Sequence, residues 1–441
     1  MLVVPQSYGA GGAGGGTFPD MAGQSFRRLR VNEAATATEW DYDGVNAINV
    51  EEARSDIRST TRAGYSTHNS YPGLQALLDA IGPKKTLLLP SNGIFNLGGN
   101  MLQTKSSYQR ITSLGRGEIT NGGIQLGDGT SLPEYGTISN IFFTGATPLG
   151  VDVQGPYCTI ENCDFKDKTV AAIRNIKYRA WYMTVLNSRM NFCPGHAIYG
   201  HASDGMNLDR GDYWINDVKI MQCGVGMEFR RVGGVNIIGS KVQSCNYGLV
   251  FYHSQDMAGL DGNDQFIAMP CQGHYLDNLS LEDNIYYDLK VSVYQAPDMP
   301  LPRTINMVGG TAMKILLEAV EGISLIGVAI PGALTQGVDA IGVMTSGCTA
   351  HSPGELGGLP FVRNGAGTSY IDYLIDKYNG PRIRTGTRLR IDSVDGSAYI
   401  GGYKTSIAAT PAYIGQTAFV AGVGYMATGI SSPSDWKQIT N

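Results

Sequence analysis

The sequence predicts an all-β solenoid, a right-handed parallel β-helix of short coils, and three observations carry that prediction. Asparagines set in strand-like stretches recur every 20 to 25 residues through the middle of the chain, with occasional excess. Glycine is abundant, 59 of 441 residues, while only 16% of residues are charged, well below the usual quarter. A short amphipathic segment at 72–81 stands just before the first repeat, where an open stack of coils needs a cover.

Taken in order, residues 1–16 end in GAGGAGGG. Gly9, Gly11 and Gly14 satisfy a GxGxxG spacing, but no hydrophobic strand or helix flanks them, so the stretch reads as linker and no cofactor is expected. A net charge of −5 argues against nucleic acid as a partner, since phosphate backbones are held by clustered Lys and Arg. No apolar run reaches the ~18 residues that would cross a bilayer, and the start lacks the basic-then-apolar layout of a signal peptide. The expectation is a chain made in the cytoplasm without signal-peptide export and without membrane insertion. Seven cysteines with no CxxC pair predict reduced, packed thiols rather than a disulfide framework or a zinc site.

In PGLQALLDAI the residues Leu74, Leu77, Leu78 and Ile81 fall at i, i+3, i+4 and i+7, with Pro72 suited to a first turn. This predicts a helix over 72–81. The following TLLLPSNGIFNL reads as a strand, a turn at Ser91-Asn92-Gly93 and a second strand. Asn140, Asn162, Asn187, Asn216, Asn236 and Asn278 then mark successive coils at spacings of 22, 25, 29, 20 and 42. A second register runs through CPGHAIY, CGVGMEF and CNYGLVF, which begin at Cys193, Cys223 and Cys245 and predict an internal ladder of thiols. The expected organisation is an N-terminal segment over 1–50, the solenoid over 51–340 and a β-rich C-terminal part over 341–441.

Three stretches carry a family resemblance. DMAGQSFRRLRVNEAATATEW at 20–40 resembles a segment near the start of bacteriophage tail fibre and tailspike proteins. The helix followed by LLLP and then GIFNL resembles the opening of the pectate-lyase-like β-helix superfamily. The end, with YIGQ, YMA and SDWK, is similar to a C-terminal module of phage tail proteins formed by a small antiparallel sheet. The resemblance to a phage tailspike implies a virion tail location, attachment to tail or baseplate proteins through the N-terminal segment, a homotrimer, and a bacterial surface polysaccharide as partner that is depolymerised by hydrolysis or by β-elimination; the alternatives are a receptor that only binds the polysaccharide and a structural tail component. The polygalacturonase signatures NTD, DD, GHG and RIK are absent, so no catalytic residue is carried over from that family.

The residues themselves suggest where chemistry would sit. Aligning the three cysteine coils without gaps, with apolar side chains inward at period two, puts Ala197, Tyr199, Met227, Phe229, Leu249 and Phe251 inside. Ile198, Glu228 and Val250 then face out, beside Gly200, Arg230 and Tyr252. The excess lengths fall directly after this strand, as HASDGMNLDRGDYW from His201 and HSQDMAGLDGNDQ from His253, while the coil between turns quickly at Arg231. Two loops would thus wall a groove with Glu228 on its floor.

The walls carry Asp204, Asp209 and Asp212 on one side and Asp256, Asp261 and Asp264 on the other. Glycoside hydrolysis typically uses two carboxyl groups, about 5 to 5.5 Å apart for retention or about 6.5 to 9.5 Å for inversion. The candidate catalytic residues are Glu228 with Asp204, Asp209, Asp256 or Asp261; loop aspartates equally serve simply to make turns. Arg174, Arg230 and Arg231 would hold acidic sugars, and Trp181, Trp214 and Tyr252 would offer flat faces to sugar rings. Neither loop has the DxDxDG spacing of a calcium site, and no metal is expected.

Overall fold

In a computed structural model the chain is a right-handed parallel β-helix. The structure describes residues 28–31, 38–41 and most of 47–439. Outside the description within that last span are 55, 62–63, 65, 129, 131, 177–181, 202–211, 231, 254–271, 294–300, 351–360, 364–370, 377–379, 386–388, 393–397, 401–407, 409–416, 421–422, 430 and several side chains from 333 to 400.

Each full coil has three short strands, and the coils stack so that three parallel sheets run along the axis. One coil comprises Thr159–Glu161, Asp164–Lys166 and Ala171–Asn175, whose strands pair in register with Thr184–Leu186, Arg189–Asn191 and His196–His201 of the next. We call the sheets I, II and III in that order. A three-residue strand can turn only its middle side chain inward, so each coil contributes one core residue per short strand. On sheet I the result is a ladder of Ile48, Leu87, Ile111, Ile138, Ile160, Val185, Ile215, Ile237, Leu276, Met307 and Leu325, all buried. Sheet II stacks Phe95, Ile119, Phe143, Phe165, Met190, Ile220, Val242 and Leu281 in the same manner.

The asparagine repeat is the corner between sheets I and II. Asn140, Asn162, Asn187 and Asn278 lie there at φ between 47° and 57°, a left-handed conformation that asparagine tolerates better than most residues. Two coils differ from the sequence reading: the corner is Asp217 and Gly239 rather than Asn216 and Asn236. Both are also residues suited to positive φ, so the geometry is kept while the letter changes.

The expected helix spans Tyr71–Ala80 and buries Leu74, Leu77 and Leu78 on the first coils. It also closes the exposed edge of sheet III. The Gln75 amide donates to Gln103 O at 3.0 Å and its Oε1 accepts from Gln103 N at 2.8 Å, replacing the strand partner that Met101–Gln103 lacks on that side. Gln109 donates to Leu78 O and Gly82 O, capping the last turn.

The thiol ladder forms as expected. Cys193, Cys223 and Cys245 are free and buried on adjacent coils, with Cys223 N donating to Cys245 Sγ at 3.4 Å. Lys168 and Asn284 occupy the coils on either side, so the column is a buried polar seam. At the chain's ends, Arg28–Val31 and Thr38–Asp41 make an antiparallel pair from the LRVN and EW stretches. Thr417–Val420, Val423–Ala427 and Trp436–Gln438 form the small antiparallel sheet expected around YMA and SDWK.

Candidate functional site

Among the described residues, sheet III carries a dense cluster of polar and aromatic side chains. Its outer column reads Asp152, Arg174, Tyr199, Glu228, Val250 and Lys290 on consecutive coils. The parallel column beside it reads His201, Arg230, Tyr252 and Ser292.

This register corrects the gapless cysteine alignment by one residue in the first coil. His196 pairs with Val225, three residues after Cys193 but two after Cys223, because Pro194-Gly195 lengthens that turn. Ile198 therefore points into the core and is fully buried, while Tyr199 faces out beside Glu228. Gly200 falls in the inner column, where an added Cβ would lie 2.8 Å from the Phe229 ring. Sequence reasoning missed Tyr199 and His201 for this reason; His196 lies at the start of the strand, where alternation alone gives no sign of its bond to Glu228.

Glu228 is 7% exposed, and both its oxygens are engaged. Oε2 accepts from His196 Nε2 at 2.9 Å, and Oε1 accepts from Arg230 Nε. Burial pushes the Glu228 carboxyl up, but the hydrogen bond and charge of His196, reinforced by Arg230, outweigh it and hold the group below its ordinary range. The carboxylate is thus kept ionised. The His196 ring stacks on Tyr199 at 4.6 Å, and the Tyr199 hydroxyl shares a 3.0 Å hydrogen bond with His201 Nδ1. The Arg230 guanidinium lies 5.6 Å from the Tyr199 ring centre and 5.2 Å from that of Tyr252, between the two rings.

Two coils away, Arg174 grips Asp152 with two 2.9 Å bonds, and Gln154 donates to the same carboxylate. Each arginine of this face that the structure describes is therefore matched by a carboxylate of its own. The face offers a fixed anion, two tyrosine rings and oriented donors, the elements from which a sugar ring can be held and a water activated.

Of the sequence candidates, Glu228, Arg230, Tyr252 and Arg174 lie together on this face. Trp214 lies elsewhere, half exposed on the outer side of sheet I. Asp204, Asp209, Asp256, Asp261, Asp264, Arg231 and Trp181 lie outside the described residues. Asp212 precedes Trp214 at the start of sheet I.

No protein-family model matches the chain, and no curated protein matches it in sequence. Solved structures do resemble it in fold. ORF18 of Geobacillus virus E2 is 13% identical, with 92% of this chain and 76% of that one covered, at a TM-score of 0.49. A mutant tailspike protein of E. coli bacteriophage HK620, in complex with a pentasaccharide, is 11% identical over 80% of this chain and 66% of its own, also at 0.49. The catalytic unit of an α-1,3-glucanase from Streptomyces thermodiastaticus is 13% identical, covering 74% and 69%, at 0.41.

Proposed function

We propose that this chain is a bacteriophage tailspike that recognises a bacterial surface polysaccharide, whether capsule, O-antigen or exopolysaccharide, and depolymerises it on the outer face of sheet III. One observation carries the reading: an ionised carboxylate, Glu228, oriented by His196 and Arg230 and flanked by the rings of Tyr199 and Tyr252. A carboxylate held in its charged form is suited to activating water or attacking the anomeric carbon, and unsuited to donating a proton. The acid would then come from Asp204, Asp209, Asp256 or Asp261, in the segments that follow this sheet. The resemblance of 20–40 and of the YMA and SDWK stretches to phage tail modules supports the virion role. On that reading residues 1–50 attach to the tail or baseplate, 51–340 form the solenoid and 341–441 serve trimerisation or receptor binding.

A receptor that binds the polysaccharide without cutting it is the second reading. It is favoured by one feature, that both oxygens of Glu228 are already engaged inside the protein. The two separate on the molar mass of purified host polysaccharide after incubation with the protein, followed by size-exclusion chromatography with light scattering. A fall in mass is expected. Unchanged mass with the polysaccharide still bound rejects cleavage and leaves the receptor.

A further inference from the structure

The leading edge of sheet I carries one outward residue per coil: Thr137, Thr159, Thr184, Trp214, Asn236, Tyr275, Asn306 and Ser324. From Thr137 to Ser324 this column holds no charge across eight coils; on the coil before Thr137 it holds Arg110, which is paired with Glu161 at 3.1 Å. Sheet II is built in the opposite way, its outer face bearing Asp164, Lys166, Arg189, Lys219, Lys241 and Glu282, with ion pairs such as Lys241 to Glu282 at 2.9 Å. The charges that sheet I does carry, Glu161, Asp277 and the 2.7 Å pair of Arg303 with Glu321, lie off this column, which marks the column as more than a solvated wall.

Aromatic rings follow the same edge. Two residues before the column, Tyr108, Tyr135, Tyr157 and Tyr182 stack face to face on successive coils, with centroids 4.7, 4.7 and 4.9 Å apart. All four are left-handed, φ between 53° and 63°, where the same corner elsewhere uses Gly234, Gly273 and Gly322 as well as Lys84 and Thr304. A bulky residue in that conformation is strained, at a cost glycine does not incur. The chain keeps the rings despite that cost. Trp214 and Tyr275 continue the line, so six of seven consecutive coils place an aromatic at this edge, a span of about 29 Å at ~4.8 Å per coil. The tyrosine faces are used on one another. Trp214, 47% exposed, and Tyr275, 40% exposed, stack on no other ring among the described residues and stand two coils apart, about 10 Å.

We infer that this edge of sheet I is a second polysaccharide-binding surface, separate from Glu228, that takes an extended uncharged glycan lying along the axis. Trp214 and Tyr275 serve as platforms for alternate sugar rings, and Thr184, Asn236 and Asn306 bond to the hydroxyls between them. An acidic glycan would need cations that the column does not have. The surface rests on its own geometry and stands whether or not sheet III cuts.

The test is affinity electrophoresis of the full chain in native gels cast with dextran, laminarin, xylan or polygalacturonate, in an E228Q background so that no gel polymer is cleaved. At least one neutral gel should retard the protein, and W214A and Y275A should each weaken the retardation about threefold to tenfold, the range set by losing one ring contact. Y286A, at an exposed tyrosine off this edge, should leave it unchanged. The tryptophan emission change on adding the retarding glycan should vanish in W214A. Retardation only by polygalacturonate, by no gel, or equally in W214A, Y275A and parent overturns the proposal. Loss of cleavage by E228Q with retardation intact would separate the two surfaces.

Discussion

His274 shows how much a single interior residue can be asked to bear. It is fully buried, stacks on Phe251 at 4.2 Å and accepts from Val235 N through Nδ1 at 3.3 Å. Burial lowers its pKa from 6.5 to about 3. The unfolded chain therefore takes up a proton below pH 6.5 that the folded chain refuses until about pH 3, so this contribution is intact above 6.5 and is lost as pH falls between those values. Replacing His274 by Leu should remove up to about 5 kcal/mol of that acid sensitivity, read as a flatter plot of urea midpoint against pH. An equally steep plot in the variant would place the sensitivity elsewhere. Six buried cysteines give a second residue-scale expectation. Burial pushes Cys158 and Cys163 up to about 12, and none of the six is open to reagent, so at most Cys271 of the seven thiols should react before the chain unfolds.

At the scale of the element, helix and corners were legible in the sequence to different depths. The i, i+3, i+4, i+7 pattern located the cap within one residue, because packing on the first coils demands one apolar stripe. What hydropathy could not show is the Gln75 side chain standing in for a strand. Gln75→Ala should cost about 1 to 3 kcal/mol by leaving the Gln103 amide and carbonyl without those partners, measured by urea unfolding; a loss within experimental error would mean water replaces it fully. The asparagine spacing found four corners directly but mistook Asn216 and Asn236, because Asp217 and Gly239 satisfy the same backbone angle. Glu228, Arg230 and Tyr252 were legible as an outward set. Tyr199 and His201 were not, since one extra residue at Pro194-Gly195 reverses inside and outside from Ile198 to His201.

For the whole molecule, eleven stacked core residues on sheet I set a rod about 48 Å long at ~4.8 Å per coil, and that rod divides its three faces by chemistry. Sheet II is charged and solvated, the leading edge of sheet I is aromatic and uncharged from Thr137 to Ser324, and sheet III concentrates paired charges around one carboxylate. A straight polymer lying along such a rod meets the same column at every coil, which suits a repeating glycan. The account turns on whether the ionised carboxylate of sheet III does chemistry. Glu228→Gln keeps the shape and removes the charge, so the molar mass of host polysaccharide should fall with the wild-type chain and hold steady with the variant, while both still bind it. Cleavage by the variant at the wild-type rate would contradict the account.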